Sequence, residues 1–241
     1  MSNQVSHHPD LGLLKEFYEG TLAVGFSMAI SAHVDDCAAC RECVAEIAES
    51  ICNDWYDDHA SIDTNDKEFA GILDDIVSQP ASGTNIPNEE TSAPEAPLRT
   101  VQLKGRTIKL PHVLQQFIAT GFRWKEIGKG IHQALIDADP ATKCEIILME
   151  PGARVPRHTH MGKEFMLVLD GSISDGNCNY GVADFVVSDQ QIHHGQLTTD
   201  GCICLFITDA PLKFTEGFAQ LLNPINRAKF WWAGRRGSAN Q

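Results

Sequence analysis

The chain has 241 residues, 43% hydrophobic and 21% charged, with a formal net charge of -13, a composition that excludes a disordered chain and suits one large domain or two small ones. No N-terminal stretch joins a basic flank to an apolar centre, and the longest mostly apolar run, Leu22 to Ala32, is too short to cross a bilayer; a soluble, cytoplasmic protein is expected. Residues 1–97 hold 19 Asp and Glu against Lys15, Arg41 and Lys67, whereas residues 98–241 hold 16 basic and 13 acidic residues, so the first half is unsuited to phosphate backbones and suited to a basic protein partner.

From Asp10, which is placed to cap a first turn, Leu11, Leu14, Phe17 and Tyr18 recur at helical spacing, and Gly20-Thr21 breaks the pattern. Further helices are predicted from Leu22 to Val34, from Ala38 to Tyr56 and from Asn65 to Val77, the last carrying Phe69, Ile72, Leu73 and Ile76 on one face. Residues 1–79 therefore read as a small helical domain. Residues 80–97, with Pro80, Pro87, Pro94 and Pro97 and few apolar side chains, read as a linker.

Beyond the linker the pattern turns to short β-rich runs, with one helix predicted from Pro111 to Ala119. Strands are expected at Ile131–Ile136, Cys144–Met149, Glu164–Leu169, Phe185–Val187 and Cys202–Thr208, parted by turns such as Pro151-Gly152 and Asp170-Gly171. This spacing predicts a β-sandwich or barrel over residues 98–230, followed by a tail at 231–241. The fold class is thus two-domain, α plus β.

Two metal-ligand patterns stand out. In His33-x-x-x-Cys37-x-x-Cys40 the histidine closes one predicted helix and the cysteines open the next, so three soft ligands converge at a helix junction. Zinc suits them, and a closed structural site needs a fourth ligand, for which His7 and His8 precede Cys43 in preference. A lone Cys-x-x-Cys would otherwise be chance or a redox pair. In a reducing cytosol the eight cysteines are unlikely to form a disulfide framework; clustered ones read as ligands, and Cys52, Cys144 and Cys178 as scattered core residues.

The second pattern is Gly152-x5-His158-x-His160-x3-Glu164-x6-Gly171. Alternate residues of an extended segment share a face, Glu164 arrives from the next strand, and His193 or His194 would complete the set. Imidazole and carboxylate together suit zinc, iron, manganese or nickel. An open position on such a metal serves either catalysis or sensing, and Cys202-x-Cys204 would add oxidisable sulfur if it faces the pocket.

With both patterns placed, the chain resembles the zinc-containing anti-sigma factors of the ChrR type, a helical zinc anti-sigma domain followed by a cupin β-barrel. The resemblance extends to Gly20-Thr21-Leu22, Trp124, Gln133-Ala134, Cys202-Ile203-Cys204-Leu205 and Thr208-Asp209-Ala210-Pro211-Leu212. It implies that His8 joins His33, Cys37 and Cys40 on zinc, leaving His7 a bystander, and that His194 joins His158, His160 and Glu164, with His193 turned away. Asp189 and Gln191 depart from the usual second cupin motif. The implied partner is an extracytoplasmic-function sigma factor, released in response to singlet oxygen or related oxidants sensed through the cupin, with no enzymatic activity. The competing expectation is a cupin dioxygenase or isomerase with a helical accessory domain.

Overall fold

The computed structural model describes residues 5–59, 100–103, 105–117, 121–189 and 193–224, with isolated positions at 71, 78 and 230. The predicted helix at 65–77 apart from position 71, the linker at 80–97 and the tail at 231–241 lie outside the described residues. The chain divides into two compact units, Met1–Ala45 with Leu98–Gln241, and Glu46–Pro97.

Three helices open the chain: α1 (Leu11–Tyr18), α2 (Val24–Asp36) and α3 (Ala38–His59). Asp10 caps α1 as its side chain predicts, accepting from the Leu13 N–H at 2.8 Å. A hairpin of β1 (Thr100–Leu103) and β2 (Arg106–Lys109) follows, then α4 (His112–Gln115), which is shorter than the Pro111–Ala119 helix the sequence suggests.

Two antiparallel sheets follow, and a 3-10 helix at Gly217–Leu222 comes after the last strand. The first contains β3 (Trp124–Gly128), β4 (Ile131–Ile136), β5 (Lys143–Met149), β7 (Glu164–Gly171), β10 (Phe185–Ser188) and β12 (Cys202–Thr208), in the order β10-β7-β12-β5-β4-β3. The second contains β6 (Arg154–His160), β8 (Ile173–Ser174), β9 (Asn179–Tyr180), β11 (His193–Leu197) and β13 (Leu212–Phe214), in the order β13-β6-β11-β8-β9. Among the described residues no strand of one sheet pairs with a strand of the other, so the expected barrel takes the form of an unclosed pair of sheets.

Met149, Met166, Val168, Cys204 and Phe206 of the first sheet meet Ile173 and Tyr180 of the second in a shared core. An antiparallel sheet with one wet face would alternate polar and apolar residues, yet β12 is buried at every position and β7 from Glu164 to Leu169. Helix α2 is the reason, because it covers the outer face. Phe26 of α2 lies 4.4 Å from Phe165 between ring centroids, and Phe165 lies 5.2 Å from Phe185. Each such buried aromatic contributes roughly 1.5–3 kcal/mol of transfer free energy.

Both ends of α2 are tied to the β-rich part. Its N-cap residue Ala23 makes no side-chain cap; instead Asp139, from the loop before β5, accepts the Gly25 N–H at 3.2 Å. Asp35 and Asp36 stand at the negative end of the helix dipole, an unfavourable place for carboxylates. Lys109 offsets this with an ion pair to Asp36 at 2.5 Å, and the His112 N–H donates to Asp35 at 2.7 Å.

Glycine is required where β7 turns. Gly171 has φ +75°, and a Cβ there would meet the Gly201 carbonyl oxygen at 2.1 Å.

Candidate metal centres

Helix α2 ends because Cys37 leaves helical geometry, with φ -109° and ψ 104°, while its N–H still bonds the His33 carbonyl at 2.9 Å. Its own carbonyl accepts from the Arg41 N–H at 3.1 Å and so starts α3. Arg41 then reaches back to the carbonyls of Val34 and Asp35 at 2.7 and 2.8 Å, satisfying groups the end of α2 leaves open. This junction sets His33 one turn before Cys37, and Cys37 and Cys40 one turn apart at the positive end of α3, where thiolates are favoured.

The fourth member comes from the strap before α1. His8 Nδ1 lies 3.3 Å from Cys37 Sγ and 3.5 Å from Cys40 Sγ, and His33 Nε2 lies 3.2 Å from Cys40 Sγ. All four ligand atoms fall within 4.8 Å of one another, with His33, Cys37 and Cys40 buried and His8 exposed. Tetrahedral zinc, with bonds of about 2.0–2.3 Å to nitrogen and sulfur, would hold its ligand atoms at about this spacing. The protonation states also fit a cation. His33 Nδ1 donates to the Ala183 carbonyl at 2.8 Å, leaving Nε2 with its lone pair toward the cluster. Burial pushes the His33 pKa down to about 4, so the ring is neutral at physiological pH. Burial, with Cys37 alongside, pushes the Cys40 thiol up to about 12; a bound cation is what would keep both sulfurs as thiolates.

His7, weighed against His8 on sequence, turns elsewhere. Its ring stacks edge-on against Tyr180 at 4.7 Å and lies 3.5 Å from the Asp184 carboxylate. Cys43 is half-buried on α3 and does not belong to the cluster.

In the β-rich part His158 and His160 alternate along β6, both buried, with ring centroids 5.1 Å apart. His158 Nδ1 donates to the Pro156 carbonyl at 2.9 Å, which directs Nε2 outward from that bond. Glu164, buried at the start of β7, lies 3.4 Å from His160 Nδ1. Burial, reinforced by Glu145 and partly opposed by Lys143, raises its pKa to about 8. The backbone register sets His194 opposite His158 and His193 opposite Thr159; the side chains of both histidines lie outside the described residues. Among the described residues only the first cluster brings its ligand atoms within 4.8 Å.

Cys202 and Cys204 are buried in the core between the sheets, their thiols hydrogen-bonded to each other, which lowers the Cys202 pKa and raises that of Cys204. Cys144 is buried as expected of a scattered cysteine, whereas Cys52 and Cys178 are exposed rather than in the core. Sequence reasoning missed the roles of Ala183, Asp184 and Asp139, which hold the His33 ring, the strap next to His8 and the start of α2 from more than a hundred residues away.

Residues 116–213 match the model of the ChrR cupin-like domain. The chain is 27% identical over 228 residues to the anti-sigma-E factor ChrR of Cereibacter sphaeroides, covering 92% of this chain and 99% of ChrR. Among solved structures it aligns with Rhodobacter sphaeroides SigE in complex with the anti-sigma ChrR at TM-score 0.61 and 22% identity, over 86% of this chain and 100% of that one. An RmlC-like cupin from Shewanella frigidimarina aligns over 37% of this chain and 85% of that one at TM-score 0.35 and 18% identity. Helices α1 to α3 thus precede a segment that matches the ChrR cupin-like domain model, in a chain similar to the anti-sigma factor ChrR over nearly its whole length.

Proposed function

We propose that this chain is a cytoplasmic anti-sigma factor that binds and inhibits an extracytoplasmic-function sigma factor. The observation that carries the reading is the convergence of His8, His33, Cys37 and Cys40 at the junction of α2 and α3, in a half of the chain whose charge complements a basic partner. Zinc held by those four side chains would act as a cross-link, fixing the N-terminal strap, α2 and α3 as one rigid grip. Structural zinc of this kind contributes roughly 10–16 kcal/mol of apparent binding free energy, on the scale of a whole domain's stability of about 5–15 kcal/mol. Likeness to ChrR over 92% of the chain favours this regulatory role over that of a cupin enzyme.

The β-rich part is proposed as the sensing module. His158, His160, Glu164 and His194 would hold a second divalent metal, zinc, iron, manganese or nickel, and singlet oxygen or a related oxidant acting there would release the sigma factor. Moving a complex from one part in a hundred free to ninety-nine requires a differential of about 5.5 kcal/mol, which loss of ligation at the first cluster would exceed.

The full-length chain, tagged and expressed in its host, is expected to retain a sigma factor. The double variant Cys37→Ser, Cys40→Ser is expected to retain none and to lose one equivalent of metal. Capture of the sigma factor by that variant at wild-type yield would contradict the structural role given to the cluster.

A further inference from the structure

The first cluster is not supported by its own helices alone. His33 directs its Nδ1–H to the carbonyl of Ala183, 150 residues away and on the turn before β10, at 2.8 Å. Ala183 has φ 69° and is the one non-glycine residue with positive φ among the described residues. A left-handed alanine is disfavoured, and such strain persists only where the surroundings over-determine it. Here the strained residue aims its carbonyl at a buried imidazole.

The next two residues hold the strap that carries His8. The Asp184 carboxylate is buried and accepts from the Ser6 N–H at 2.7 Å, the His7 N–H at 3.0 Å and the Ser6 hydroxyl at 3.2 Å. It also accepts from the Gly181 N–H at 2.8 Å, which closes its own turn. The Phe185 N–H donates to the His7 carbonyl at 3.0 Å. Three consecutive residues of the cupin-like domain therefore orient one ligand directly and fix the backbone next to another.

We infer that the Ala183–Phe185 segment is a positioning element for the N-terminal cluster, the Ala183 carbonyl setting the His33 ring and Asp184 setting the strap that carries His8. The inference rests on the reading of that cluster as a metal site. Outer hydrogen bonds of this kind fix the tautomer and orientation of ligating histidines. A change in the sensing domain that moves this turn would loosen two of the four ligands at once, with no need for the domains to separate.

The test uses the full-length chain loaded with cobalt(II), whose thiolate charge-transfer absorption reports only a cysteine-ligated site. Titration against a competing chelator gives the affinity of that site, and total cobalt, less that bound at the thiolate site, follows the histidine and carboxylate site. Asp184→Ala is expected to weaken thiolate-bound cobalt by about 10–100-fold. Ser6→Pro, which removes the Ser6 N–H and hydroxyl donors and leaves that of His7, without touching the cupin turn, is expected to act in the same direction. Asp184→Asn, which keeps an acceptor for both strap N–H groups, should fall between wild type and Asp184→Ala. Far-ultraviolet circular dichroism and retention of the second metal should be unchanged in all three. Wild-type affinity in both Asp184→Ala and Ser6→Pro would overturn the inference while leaving the metal site standing. Weakening in Asp184→Ala alone, together with lost dichroism or loss of the second metal, would overturn it as a folding effect. A wild-type chain with no thiolate–cobalt absorption would instead remove the metal reading itself.

Discussion

Gly25→Ala tests whether α2 is pressed against the sheet, and the sign of the effect decides it. Gly25 is the second residue of α2, where alanine is favoured over glycine by at most the helix-interior value of about 0.8–1 kcal/mol, so on an uncovered helix this substitution would be neutral to stabilising. At position 25 the new Cβ would stand 2.0 Å from Thr142 Oγ1, 2.8 Å from Cys144 Sγ and 3.1 Å from Ile207 Cγ2. These atoms belong to β5, β12 and the loop entering β5, and Thr142 is itself held by a hydrogen bond to Asp139 at 3.1 Å. They cannot all rotate away, so the helix must lift. Overpacking costs about 1–3 kcal/mol, and with three close neighbours the upper end applies, leaving a net loss of about 1–2 kcal/mol after the helical gain. The lift would also stretch the 2.8 Å bond from His33 to Ala183, two turns further along α2. Urea denaturation followed by circular dichroism should show a lower midpoint with an unchanged slope. A midpoint above wild type would refute the docking of α2 on β5 and β12.

Gly171→Ala should destabilise by about 1–3 kcal/mol, because the left-handed backbone disfavours any side chain and the Gly201 carbonyl leaves no space for one; thermal melting would show it, and an unchanged melting temperature would contradict the turn geometry. For the metal-free protein a pH dependence follows from Glu164, whose pKa is raised to about 8 by burial and Glu145. The folded state then binds a proton more tightly than the unfolded state, so this contribution to stability is complete below about pH 4.3, the unfolded carboxyl value, and is lost as pH rises toward 8. Glu164→Gln should flatten that decline in metal-free protein, and an identical pH profile in the two proteins would count against a buried, proton-holding carboxyl.

Parts of this fold are legible in the residues and parts are not. Asp10 and the spacing of Leu14 and Phe17 announce α1, and the Cys37-x-x-Cys40 spacing announces the helix junction, because both signals are local. The runs at β7 and β12 are equally visible, but their continuous apolar character becomes intelligible only with α2 on one face and the inter-sheet core on the other. Strand β6 carries Arg154, Pro156 and Arg157 and lacks a strand's apolar alternation; pairing with β11 and β13 makes it one. Strands β8 and β9 are two residues each, too short for any periodicity. The same limit applies to the cluster. Spacing finds His33, Cys37 and Cys40, whereas Ala183 is brought to His33 by tertiary packing across 150 residues. A carbonyl acceptor has no side-chain signature, so nothing in the residue type at 183 could have marked it.

The central claim is that four side chains, His8, His33, Cys37 and Cys40, must be bridged by a metal for the helices to hold a sigma factor. Its most direct test is one binding titration on purified full-length chain: affinity for the extracytoplasmic-function sigma factor before metal removal, after chelation, and after zinc is restored, with metal content quantified in each sample. Binding should vanish with the metal at the cysteine site and return with one equivalent of zinc there. Undiminished affinity in fully stripped protein would contradict it.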